Sequence, residues 1–216
     1  YASFGADQLL VVLRPAPHTV KLQRGNVQVQ MSDVSAQRIE ETVALQAGWL
    51  QRTQQSSGRM TYIYLPSEER RNTGKDNMIR RWMASAALVR WAKHTGEESD
   101  WESATRSINH NLDTHYTQEG DLGVVRYQGK SKLGALGIAA YTLRTHRDRS
   151  EWAEQERSLS AAIDSLVDED GSMQSWLSHP NGHAGDQNNF YPGEALFYWA
   201  QVLSEQDDPE LLERYM

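Results

Sequence analysis

Lys132-Leu-Gly-Ala-Leu-Gly-Ile-Ala-Ala-Tyr-Thr-Leu143 is apolar or small at nearly every position. A helix of this composition has no polar face to give to water, so it must be covered on all sides. Two further stretches have the same character: Met78 to Ala92, with Ala84, Ser85, Ala86 and Ala87, and Phe190 to Leu203. The small residues of the first two, including Gly134, Ala135, Gly137, Ala139 and Ala140, let neighbouring helices approach closely.

Between these stretches lie segments with one apolar stripe at helical spacing. The stripes are Ile39, Val43, Ala47 and Leu50; then Trp101, Ala104, Ile108 and Leu112; then Trp152, Leu159, Ile163 and Leu166. Their opposite faces are polar, as in surface helices with one buried side. Outer and inner helices therefore alternate, with a period of about 50–60 residues. Short motifs repeat with them. Thr95 to Trp101, Arg147 to Trp152 and Gln206 to Leu211 follow the inner helices, and Gly58 to Tyr62, Asp121 to Val125 and Gly171 to Ser175 follow the outer ones. Inner-to-outer links are short, whereas the outer-to-inner links, 55–76, 118–131 and 168–189, are long. All the long loops thus emerge where the inner helices begin, and long loops on a rigid scaffold are where sites are built.

Residues 1–32 differ. Leu9 to Leu13 is a β-prone run, Pro15 and Pro17 interrupt it, and Val20, Leu22, Val27, Val29 and Met31 alternate with polar residues around Gly25-Asn26, as in a hairpin. This part reads as a β-rich segment or the remnant of an upstream domain, and 33–216 as the helical domain. The expected fold is mainly α: a toroid-like array of about three and a half helical hairpins after a short β segment.

Composition narrows the function classes. With 22 Lys and Arg against 29 Asp and Glu, the net charge is −7, which argues against a nucleic-acid partner. No cysteine is present, so disulfides and thiolate metal sites are excluded. No apolar run is long enough to span a bilayer, so membrane insertion is not expected. The chain begins at Tyr1 and is read as processed or trimmed, leaving the compartment open between cytoplasm and periplasm.

Three stretches carry a resemblance: Gly74-Lys-Asp-Asn-Met-Ile-Arg-Arg-Trp82, Lys132-Leu-Gly-Ala-Leu-Gly-Ile-Ala139 and Asn189-Phe-Tyr-Pro-Gly-Glu-Ala-Leu196. Together with the glycine segments they resemble the α/α-toroid superfamily of carbohydrate-active proteins, including the helical domain of glucuronyl epimerases. The resemblance implies a toroid and a role in sugar metabolism. It does not choose among glycosidases, lyases and epimerases. Closed toroids carry more hairpins than this chain, so the array is read as incomplete, completed by the missing remainder or by another chain.

The candidate site residues sit at the starts of the inner helices. Arg80 and Arg81 fall in a first turn capped by Asp76 or Asn77, where cations oppose the helix dipole. One of them is read as holding a substrate carboxylate or phosphate; the alternative is a salt bridge to Glu68, Glu69 or Asp76. Lys132 holds the place equivalent to Arg81; otherwise it caps a loop carbonyl or reaches solvent. Tyr191-Pro-Gly-Glu194 opens the third inner helix with Pro and Glu well placed for a helix start, and Tyr191 and Glu194 are equally candidate catalytic groups. His179, His183 and Asp186 lie in the third loop without a metal signature, and a histidine there suits general acid–base work better than a metal. Asp76 and Asp186 hold equivalent places, either as the paired carboxylates of glycoside hydrolysis or as helix caps.

The expected function is a carbohydrate-active enzyme domain, epimerase, lyase or glycosidase, acting on an acidic or amino sugar without a cofactor. Proton transfer at C5 of a uronate needs a cation plus a Tyr or His; Arg80 or Arg81, Tyr64, Tyr127, Tyr191 and His183 supply these types. Hydrolysis needs two acids among Asp76, Asp186 and Glu194. The expected partner is a saccharide or small anionic substrate. The alternative is a non-catalytic helical scaffold or sugar-binding module within a larger assembly.

Overall fold

The computed structural model of the chain describes residues 8–12, 16–23, 26–27, 29–72, 75–179 and 190–215. It is mainly helical, and contacts divide it into two compact units, Tyr1–Gln46 and Ala47–Met216.

In the first unit, β1 (Gln8–Val12), β2 (His18–Gln23) and β3 (Asn26–Val27) form an antiparallel sheet in that order. Leu10 faces Val20 in register, and Leu22 faces Val27. The expected β-rich start is therefore present, with Gly25 of the expected turn outside the described residues. Helix α1 (Ala36–Thr53) begins in this unit. Ile39 and Val43, expected in its apolar stripe, are exposed; the buried part of the stripe begins at Ala47.

The second unit carries the alternation. Its helices are α2 (Met78–Thr95), α3 (Glu98–His115), α4 (Leu133–Thr145), α5 (Ala153–Asp164), α6 (Tyr191–Glu205) and α7 (Pro209–Tyr215). Helix α4 packs between α2 and α6, α3 covers α2, α5 covers α4, and α7 rests on α6. The inner helix α4 is buried without a break from Leu133 to Leu143. The outer helix α3 buries one stripe, Trp101, Ala104, Ile108 and Leu112. Trp82, Leu88, Leu136 and Leu143 are core residues, but α2, expected to be covered on all sides, leaves Arg80, Met83, Ala87 and Arg90 exposed, because it stands at one end of the inner row of described helices. Leu196 is only half-buried, and its neighbour Phe197 is exposed. The reason is position: α6 ends the inner row of described helices, so one of its sides has no inner neighbour.

The inner helices start side by side. A Cβ added at Gly134 would lie 3.1 Å from the Tyr191 ring, 3.2 Å from Ile79 and 3.4 Å from the Glu194 carboxyl carbon. One turn on, a Cβ at Gly137 would lie 2.6 Å from the Glu194 carbonyl oxygen. Only glycine permits this approach of α4 to α6.

The repeated motifs have structural roles. Trp101 and Trp152 stack edge-on against His146, with centroids 5.0 and 4.9 Å away. His146 Nδ1 accepts the Asp148 N–H, and burial holds the imidazole below its ordinary pKa. Gly58 has φ of 88°, and a Cβ there would fall 2.0 Å from the Arg106 carbonyl oxygen.

Each long link carries strands. β4 (Ile63–Leu65) pairs with β5 (Arg70–Asn72), and β6 (Tyr116–Glu119) with β7 (Leu122–Val125). β8 (Ser131–Lys132) pairs with β9 (Trp176–Ser178), which lies in the next link. This last pair ties two successive links together just before α4. Among the described residues no helix is long and apolar enough to cross a membrane.

Candidate functional site

The corner at the start of α4 gathers several of the expected residues. Lys132 is the N-cap residue of α4 and pairs across β8–β9 with Trp176. Its Nζ lies 5.0 Å from the Trp176 ring centre and 5.2 Å from that of Tyr191. The two rings meet edge to face at 5.9 Å, and His179 meets Trp176 the same way at 4.7 Å. Glu194, in the first turn of α6, comes up to the same corner beside Gly134. Aromatic faces hold a cation by its charge while leaving its N–H groups free to donate elsewhere.

Three buried polar atoms around this corner have no hydrogen-bond partner among the described residues: Ser131 Oγ, Trp176 Nε1 and Glu194 Oε2. Buried polar atoms are nearly always satisfied, so such a group calls for a reason. Burial raises the Glu194 pKa, opposed only by a backbone hydrogen bond. Its folded-state pKa therefore lies above the unfolded one. The linked stability is fully present below the unfolded value and is lost as pH rises through the folded value. Glu194→Gln is accordingly expected to match the parent in acid and to exceed it in stability at neutral pH. Urea titrations at pH 4 and pH 7.5 check this; equal stability of the two proteins at pH 7.5 would refute it.

Known protein families, characterised proteins and solved structures give no match to this chain.

Asp76 and Arg81 form a second cluster, at the start of α2. Arg81 Nε donates to Asp76 Oδ1 at 2.6 Å, and Nη2 donates to Oδ2. Both side chains are almost fully buried, at 3% and 5% exposure. Burial alone would raise the Asp76 pKa, but the Arg81 hydrogen bonds and charge outweigh it and hold the carboxyl below its ordinary value. Arg81 thus takes the salt-bridge alternative, with Asp76 as the acid. The helix cap is Asn77, whose side chain accepts the Arg80 N–H at 3.2 Å; Asp76 accepts the Asn77 N–H instead.

The remaining candidates are dispersed. Arg80 is exposed. Tyr64 on β4 is 39% exposed and faces Arg71 of β5 in register. Tyr127 stands edge-on to His115 at 5.9 Å. His183 and Asp186 lie outside the described residues. The described His, Asp and Glu residues form no group of three able to hold a metal. Trp176 and Ser131 escaped the sequence reading. Their one signal was position, just after the Gly171–Ser175 motif and just before Lys132, and the pairing that joins them spans two different links.

Proposed function

We propose that the second unit is part of an α/α toroid of the carbohydrate-active kind, and that the corner at the start of α4 binds the carboxylate of an acidic sugar. The observation that carries this reading is the set of unsatisfied buried atoms around a cation with no carboxylate partner among the described residues. A uronate would supply the missing charge and acceptors for Ser131 Oγ and Trp176 Nε1, and a sugar hydroxyl a donor for Glu194 Oε2. The side-by-side starts of α4 and α6 add helix N-termini, which favour anions.

The chemistry this arrangement supports best is proton transfer at C5, next to the carboxylate. Removing that proton pushes negative charge onto the carboxylate oxygens. Lys132 stabilises that charge, and its hold on two ring faces spares reorganisation. Glu194 carries the proton, because its raised pKa brings its two protonation states closer to neutral pH. Tyr191 lies beside it as a second hydroxyl donor. Hydrolysis is less well supported: Asp76 is committed to Arg81, which leaves Glu194 without a described carboxylate partner. The reaction class is therefore that of an epimerase or lyase on a uronic polysaccharide.

Calorimetry with uronic oligosaccharides tests the binding, and exchange of the C5 proton with deuterium oxide, followed by NMR, tests the chemistry. Lys132→Met is expected to weaken binding about tenfold or more. Glu194→Gln is expected to slow exchange by about 10²-fold while affinity changes little. Folded variants that both keep parental affinity and exchange would remove this reading. Binding without any exchange in the parent would favour a sugar-binding module instead.

A further inference from the structure

The Arg81–Asp76 pair leaves one group over. Asp76 takes Nε and Nη2 of Arg81, while Nη1 is buried with no hydrogen-bond partner among the described residues. A buried guanidinium N–H left unmade is costly. Arg81 also lines a small pocket with Gln55, Arg59, Thr61, Arg71 and Lys75. Its volume is about 10 Å³, close to the space needed by one water-sized atom. Arg71 and Lys75 are exposed, so they belong to its mouth.

Charge in the pocket is one-sided. Four cationic side chains line it. Asp76, bonded to Arg81 and 3.7 Å from Arg59 Nη2, offsets part of that charge. Two histidines stand nearby, and Asp76 partly offsets the effect of the arginines on them. Burial first, and then the charges of Arg81 and Arg59, depress the His110 pKa; burial and Arg81 do the same to His115.

We infer that this pocket binds a tetrahedral oxyanion group, a phosphate or a sulfate. One oxygen enters the pocket and accepts from Arg81 Nη1. The others remain at the mouth, where Arg71 and Lys75 reach them. The size argues for this class, because the pocket admits a single oxygen while the exposed Arg71 and Lys75 stand at its mouth. Guanidinium groups suit such oxygens geometrically. The site is separate from the Lys132 corner, and the inference does not depend on the saccharide reading.

The test compares inorganic phosphate and inorganic sulfate with chloride at equal ionic strength, by thermal unfolding and calorimetry. The proteins are the parent, Arg71→Gln/Lys75→Gln and Lys132→Met. Both altered positions at the mouth are exposed, so the double variant should fold. The oxyanions are expected to raise the parental Tm above that in chloride, and the double variant to bind them at least about tenfold more weakly. Lys132→Met is expected to respond like the parent. A response no greater than that to chloride overturns the inference and leaves the pocket to a water. So does a response undiminished in the double variant, or one lost only in Lys132→Met. A sulfated uronic oligosaccharide, set against its desulfated form, separates the sources. A loss of affinity in the double variant confined to the sulfated form identifies an ester on a sugar. A response to the inorganic ions without that loss identifies a free ion.

Discussion

Asp76→Ala is expected to lower unfolding stability by about 3–5 kcal/mol, the scale on which removing one partner of a buried ion pair acts. The variant keeps Arg81 at a position that is 3% exposed, and a guanidinium does not escape by losing its proton. Two donated hydrogen bonds are lost together, and the Asn77 N–H loses its acceptor just before the helix begins. The same pair sets a pH signature. The Asp76 pKa lies below its ordinary value in the folded protein, so its contribution is present above the unfolded pKa and is lost as pH falls through the folded one. The parent should therefore lose this stability only in strong acid, and the variant should lack that component. Asp76→Ala/Arg81→Met is expected to recover much of the loss, since the buried charge goes with its partner. A urea midpoint for Asp76→Ala within about 1 kcal/mol of the parent, at unchanged m-value, would mean that water already solvates Arg81.

Arg81 also shows where sequence reading stops. A cation in the first turn of an inner helix has two ways to be satisfied, by a ligand or by a loop acid, and both leave the same residues in the sequence. For Nε and Nη2 the choice is made by the path of residues 75–77, which carries the Asp76 carboxylate back over the first turn. The layer structure was legible because burial on all faces demands a composition that no surface helix tolerates. Leu133 to Leu143 could be nothing but an inner helix, and it is covered by α2, α5 and α6. Gly137 was equally informative in kind, as a small residue where helices meet, although its partner, the Glu194 carbonyl, was not.

The candidate site was legible by end rather than by residue. The long links marked the starts of the inner helices, and Lys132, Tyr191 and Glu194 do meet there. Trp176 joins them through a two-residue pairing between separate links. Such a pairing has no periodicity to announce it, because strands this short carry no pattern of their own. Leu196 failed in the opposite direction. Its helix has an inner composition, but α6 stands at the end of the inner row of described helices, and Leu196 is left half-buried.

Leu136→Ala is expected to cost about 2–5 kcal/mol, toward the upper part of the range for buried leucines. The cost at a given site depends on how far the surroundings can collapse into the space left behind. Leu136 has no exposed surface, and its helix is held by α2 on one side, α6 on the other and α5 behind. Gly137, the next residue, already brings α4 against the backbone of α6, so α4 has little freedom to move and close the cavity. Met83 provides the contrast. It lies on the inner helix α2 but is 53% exposed, and Met83→Ala should stay within about 0.5 kcal/mol of the parent, as surface changes do. Urea titrations of the two variants measure the difference directly. A loss for Leu136→Ala below about 1 kcal/mol, or equal losses for the two, would show that α4 does not form the centre of the inner layer.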